Sequence, residues 1–115
     1  MIRHFLHSKI HRATVTEVDL DYEGSLTLDP LLMEKANIAQ HEQINVYNIT
    51  QGGRFTTYAI EGSQGSGEVC VNGAAAHHAA VGDLIIIVTY CDLHEQEINQ
   101  FSSTIVFVDE KNQPL

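Results

Sequence analysis

Hydrophobic and polar positions alternate along several short stretches of this chain. A period of two puts successive side chains on opposite faces of a strand. Residues 3–12 and 13–18 have extended character, and Ala13-Thr14-Val15-Thr16-Glu17-Val18 alternates cleanly. Residues 43–49 (QINVYNI) and 54–60 (RFTTYAI) also alternate, and Gln51-Gly52-Gly53 between them predicts a hairpin. Shorter strands are expected at 25–28, 68–71 and 103–108, and the apolar run 84–91 (LIIIVTYC) predicts a central buried strand.

Helix signals are few. Asp29 followed by Pro30 supplies an N-cap and a first-turn proline, so a helix is expected from there to about Asn37. Ala74 to Ala80 suggests a second short helix, and residues 94–100 a helical turn. Turns fall at Gly24-Ser25, Gly62 to Gly67, Asn72-Gly73 and Val81-Gly82-Asp83. Seven or eight short strands divided by turns predict a mainly β small barrel or sandwich, with two short helices plugging its ends.

The chain has 115 residues, 43% hydrophobic and 18% charged, which fits one globular domain with its own core. No apolar stretch is long enough for a membrane span, and none near the N-terminus reads as a secretory signal, so a cytoplasmic protein is expected. Fifteen acidic residues against six basic ones give a net charge of −9, which argues against nucleic acid. Arg3, Lys9 and Arg12 lie in an acid-free segment, residues 1–12; only Lys35, Arg54 and Lys111 accompany the fifteen acids of the remainder. Cys70 and Cys91 sit in or beside apolar stretches and read as buried free thiols.

Strand spacing puts Lys9 and His11 on one face, with Ile10 and Arg12 on the other; Arg54, Thr56 and Tyr58 share a face that Thr57 does not. These side chains either line a pocket for an acidic metabolite or decorate a solvated surface. Arginine offers a planar fork to a carboxylate, and tyrosine a proton. Asn72-Gly73-Ala74-Ala75 is either an ordinary capped turn or a place where free backbone N–H groups hold an oxygen. Seven histidines show no metal-ligand spacing, and the adjacent pair His77-His78 would diverge on a helix, so no metal is expected.

Taken together, Lys9-Ile10-His11-Arg12, Tyr22-Glu23-Gly24-Ser25, Arg54-Phe55, Thr57-Tyr58-Ala59-Ile60, Asn72-Gly73-Ala74-Ala75-Ala76-His77 and Val81-Gly82-Asp83 resemble the bacterial pyruvoyl-dependent aspartate 1-decarboxylases along nearly the whole chain. The resemblance implies a six-stranded double-psi β-barrel with short capping helices, assembled as a homotetramer with sites between subunits. It implies a proenzyme that cleaves itself at Gly24-Ser25 into a β chain, 1–24, and an α chain, 25–115, with Ser25 converted to a pyruvoyl group. That group would form a Schiff base with L-aspartate and release carbon dioxide and β-alanine, for pantothenate and coenzyme A. Thr57 would stabilise the oxyanion on Gly24, whose lack of Cβ would suit a strained turn. Tyr58 would donate the proton. Lys9, His11 and Arg54 would hold carboxylates, and the Asn72, Gly73, Ala74 and Ala75 segment would bind substrate or the pyruvoyl oxygen. Some members of that family need a helper protein for cleavage. Tyr47 and His78 depart from it, standing where relatives carry tryptophan and cysteine.

Two other functions fit the residues alone. A non-enzymatic barrel could bind an acidic metabolite through Lys9, Arg54 and Tyr58, and a histidine-based metal protein is a third reading. Self-cleavage before Ser25 separates the first function from both.

Overall fold

The computed structural model describes all residues, Met1–Leu115. It is mainly β, with eight strands. They are β1 (Ile2–Thr14), β2 (Glu17–Asp19), β3 (Ser25–Leu28), β4 (Gln43–Asn48), β5 (Arg54–Glu61), β6 (Val69–Asn72), β7 (Leu84–His94) and β8 (Thr104–Phe107). They hydrogen-bond in the order β2-β6-β3-β5-β4-β7-β1-β8. The strand count matches the alternation in the sequence. The order is linear, with β2 and β8 as edges, so strand-to-strand pairing alone leaves the sheet open. Beside β2, main-chain bonds from Val15 N to Asp83 O and from Gly82 N to Val15 O, each 2.8–2.9 Å, tie the start of this edge to the turn before β7.

The hairpin β4–β5 forms with Tyr47 opposite Arg54 and Gln43 opposite Tyr58. β3 lies between β5, to which it is parallel, and β6, to which it is antiparallel. In β7, Ile85, Ile87 and Val88 are buried while Tyr90 is exposed. The apolar run therefore hides a strand with one fully buried face, and its other face is covered only where neighbours lean over it.

β1 is irregular. Its pairing with β7 shifts between Leu6 and Ser8 and again between Ile10 and Ala13. Arg12 adopts a φ of 65°, so Ile10 and Ala13 are both buried while Arg12 is exposed. Strict alternation put Ile10 and Arg12 on one face; the bulge overturns this. Lys9 and His11 do share the outer face, beside Ile105 and Phe107 of β8.

The first helix, α1 (Pro30–Ala36), starts as the sequence signals. Asp29 Oδ1 accepts from Leu31 N at 2.9 Å, and Asn37 ends the helix in the left-handed conformation. It buries Leu32, Met33 and Ala36 in the core with Ile10, Leu26, Leu28, Ile44, Val46 and Ile87. Where Ala74 to Ala80 suggested an α-helix, Gly73–His78 forms a 3-10 helix. The second α-helix, α2 (Glu95–Ile98), is one turn with no buried residue, as expected of residues 94–100. Both cysteines are free; Cys70 is buried and Cys91 half-buried. No helix is long and apolar enough to cross a membrane.

Candidate active site

Ser25 is the first residue of β3 and is fully enclosed. It is enclosed because β3 is flanked on both sides. Its partner in β6 is Asn72. The Asn72 amide Nδ2 donates to Ser25 Oγ at 3.0 Å and to Thr27 Oγ1 at 2.9 Å, and Oδ1 accepts from Cys70 Sγ at 3.1 Å. Ser25 Oγ in turn donates to Glu23 O at 3.0 Å. Asn72 precedes the 3-10 helix, yet its side chain makes no cap bond. The ordinary capping explanation of Asn72 fails, since its amide is committed to Ser25 and Thr27.

Gly73 follows directly. Its φ is 68°, and a Cβ there would lie 2.6 Å from Gly24 Cα and 2.7 Å from Gly24 N. The backbones at 24 and 73 are thus in close contact, and the Tyr22 carbonyl oxygen would lie 2.9 Å from the same Cβ. Gly24 itself has no positive φ, and a Cβ on it would meet nothing within 4 Å. The strained turn expected at Gly24 is not there; the glycine that the geometry requires is its neighbour in space.

β5 supplies the next layer. Leu26 pairs with Ala59, and continuing that register two residues backwards sets Ser25 beside Tyr58 and Gly24 beside Thr57. Thr57 lies on the Ile44 and Ala59 side of the strand, Arg54 and Tyr58 on the other, as alternation requires. The Thr57 hydroxyl makes no hydrogen bond, so the expected bond to the Gly24 carbonyl is not formed in the intact chain. The Tyr58 ring meets His41 edge to face at 5.9 Å between centroids. Arg54 is exposed, and its guanidinium carbon lies 4.8 Å from the centre of the Tyr47 ring.

Gly24, Ser25, Thr57, Tyr58, Asn72 and Gly73 are therefore brought together, with Arg54 four residues along the same strand. Ala74, exposed, and Ala75, half-buried, follow in the 3-10 helix. Lys9 and His11 are not brought there, because β1 lies four strands along from β3. His11 packs edge to face on Phe107, and its Nδ1 is buried with no partner. Burial, then the Lys9 and Arg12 charges, lower the His11 pKa.

Beside Ser25 is a cleft of about 250 Å³ lined by Tyr22, Thr27, Cys70, Asn72 and the carboxylates of Glu17, Asp19, Glu61 and Glu68. Burial and the Glu17 hydrogen bond push the Cys70 thiol up to about 12, so it is a neutral donor and not a nucleophile. Neither Cys70 nor Thr27 was legible as a site residue; both come here through their contacts with Asn72. No group of histidine, cysteine and carboxylate ligands has metal-binding geometry.

The cations are mostly unpaired. Arg3 meets Glu95 at 3.4 Å, but Lys9 and Arg54 have no acidic partner. Lys9 is therefore not held by an ion pair with an acidic neighbour.

The aspartate decarboxylase family profile matches residues 1–115. Three bacterial proteins named aspartate 1-decarboxylase are similar to the chain over almost all of its length. That of Syntrophobacter fumaroxidans is 56% identical, covering 100% of this chain and 93% of its own. That of Myxococcus xanthus is 53% identical over 97% of this chain and 86% of its own. That of Thermoanaerobacter pseudethanolicus is 50% identical over 100% and 98%.

Proposed function

Since the chain belongs to the aspartate decarboxylase family, we propose that it converts L-aspartate to β-alanine with a pyruvoyl group made from its own Ser25. It is an enzyme, a carboxy-lyase. The observation that carries the self-processing is the enclosure of Ser25 Oγ against Asn72, with Gly73 pressed on Gly24.

In this reading Ser25 Oγ attacks the Gly24 carbonyl carbon and its proton passes to the leaving amide nitrogen, leaving an ester. Thr57, beside Gly24 in register and free of other bonds, turns its hydroxyl to the developing oxyanion. Elimination between Cα and Cβ of residue 25 then frees the Gly24 carboxylate. Hydrolysis of the remaining enamine releases ammonia.

The enclosed position fits the product. Asn72 Nδ2 is a donor already aimed at an oxygen on residue 25, and Asn72 also lines the neighbouring cleft. Once formed, the pyruvoyl group supplies a ketone that condenses with the substrate amine and draws electrons from the breaking bond to the carboxylate. Asn72 would hold it, with the backbone of Gly73, Ala74 and Ala75 alongside. Tyr58 returns a proton to carbon. Arg54, charged and unpaired, holds a carboxylate.

Lys9 and His11 reach the site in this reading from a second copy, in a homotetramer whose sites lie between subunits. The exposed Ile2, Tyr90, Ile105 and Phe107 support such contacts. The finer architecture proposed is a double-psi barrel of β1 and β3 to β7, with β2 and β8 as additions. The product would serve pantothenate and coenzyme A synthesis in the cytoplasm.

Ser25 is fully enclosed and bonded to the Glu23 carbonyl of the segment before it, so in this reading cleavage does two things at once. It makes the reactive group and frees the segment that bars substrate from it. The test is the intact mass of the purified protein after warming, with cell extract added in parallel to supply any helper protein. Two chains broken before Ser25 are expected, and Ser25→Ala should give one chain and no β-alanine. A wild-type chain that stays whole under both conditions sinks the proposal.

A further inference from the structure

The outer face of β4, β5 and β7 carries an arrangement that the chemistry above does not use. Tyr47 stands directly opposite Arg54 in the hairpin, and the guanidinium lies 4.8 Å over its ring. The Tyr47 hydroxyl is 2.8 Å from that of Tyr90 on β7. Tyr47 is half-buried, while Tyr90 is about half exposed. The Tyr90 pKa is raised, first by its hydrogen bond with Tyr47 and then by burial, so the Tyr90 phenol stays protonated at neutral pH.

A carboxylate partner would fix Arg54 equally well but would cancel its charge. An aromatic face attracts a cation without neutralising it. A tyrosine ring alone can twist on its own bonds; a hydrogen bond at its far end to a second strand restricts that twist. We propose that Tyr47 and Tyr90 form a positioning pair. Tyr90 fixes the Tyr47 ring, and the ring holds the Arg54 guanidinium in place with its charge free for the substrate carboxylate. This rests on the reading that Arg54 binds substrate. A tryptophan at position 47 would do the same without the second hydroxyl: an indole is a better cation platform and needs no hydroxyl partner.

The test is steady-state kinetics of the cleaved enzyme with aspartate, combined with proton NMR of Arg54. Tyr47→Leu should raise KM about two- to fivefold, the size of an exposed cation–π contact, with kcat within about twofold. Tyr90→Phe should raise KM by a smaller factor. Tyr47→Trp should restore wild-type KM, and in that background Tyr90→Phe should have no effect. Equal KM in Tyr47→Leu and wild type, or a Tyr90→Phe effect that persists beside tryptophan, overturns the pair.

The Arg54 δ protons should be shifted upfield by the ring in wild type and Tyr47→Trp, and unshifted in Tyr47→Leu. Their being unshifted in wild type overturns the proposal even if Tyr47→Leu fails to mature. If the shifts behave as expected but Arg54→Lys leaves KM unchanged, the substrate role of Arg54 fails while the geometry of the pair stands; the positioning of a substrate ligand is then overturned.

Discussion

Gly73 and Gly24 face each other at the turn before Ser25, and only one of them depends on being glycine. At Gly73 a methyl group would meet the Gly24 backbone at 2.6 Å, with a φ that side chains rarely adopt. At Gly24 it would meet open space. Gly73→Ala should therefore cost about 2 kcal/mol or more of stability and slow cleavage, while Gly24→Ala should leave stability within about 0.5 kcal/mol. Urea unfolding of the two variants, each made with Ser25→Ala to prevent cleavage, checks this. Equal losses would mean that the contact between the two backbones is not what fixes position 73. Asn72 teaches a similar lesson. In sequence it is a turn residue before a glycine, and capping explains it adequately. Only the register of β3 with β6 shows that its amide holds Ser25 and Thr27.

Asp83, between the 3-10 helix and β7, gathers several elements. Its Oδ2 accepts from Asn48 Nδ2 at 2.9 Å, from Gln51 Nε2 at 2.6 Å and from Ala80 N at 2.9 Å. These join the end of β4, the hairpin turn and the entry to β7. The Asn48 bond does most to lower the Asp83 pKa below 3.8, and burial opposes it. At Asp29 burial also pushes upward, but bonds from the Gly67, Leu31 and Gly65 amides outweigh it, again giving a value below 3.8. Both carboxylates are depressed in the fold. Their contribution is present in full above the unfolded value of 3.8 and is lost as pH falls through the lower, folded values. Asp83→Asn should cost about 2–4 kcal/mol at pH 7, since an amide turns donors toward donors. The gap to wild type should narrow only below about pH 4. Denaturant melts at pH 7, 5 and 3 decide it, and a gap already closing between pH 7 and 5 would contradict the assignment.

Element boundaries were largely legible. The strands of the β4–β5 hairpin, the Asp29-Pro30 helix start and the eight-strand count all follow from local pattern. What failed was set by long-range pairing. The β1 bulge at His11 and Arg12 arises from register against β7, and the half-covered β7 reads in sequence as a wholly buried run. Ser25, Tyr58, Asn72 and Gly73 were legible through motif resemblance. Their meeting depends on the parallel pairing of β3 with β5, which no short stretch of sequence encodes.

At the scale of the whole molecule, six cations stand against fifteen acids. Lys9 and Arg54 have no acidic partner, and both carry positive charge that an acidic protein must keep available if it is to attract a dicarboxylate. The strand order has a different consequence. Residues 1–24 supply β2 at one edge and β1 next to the other; every strand between them, and β8, comes from residues 25–115. Cutting before Ser25 therefore leaves two pieces that clasp each other from opposite ends of the sheet. Unfolding of the cleaved protein is then also a dissociation. Its midpoint should climb with protein concentration by several degrees per tenfold, more steeply than that of the uncleaved Ser25→Ala chain. Equal slopes in calorimetry would show that the small piece stays attached after the sheet has melted. The proposed cut would thus turn a folded chain into a reversible complex, and dilution would become a way to lose it.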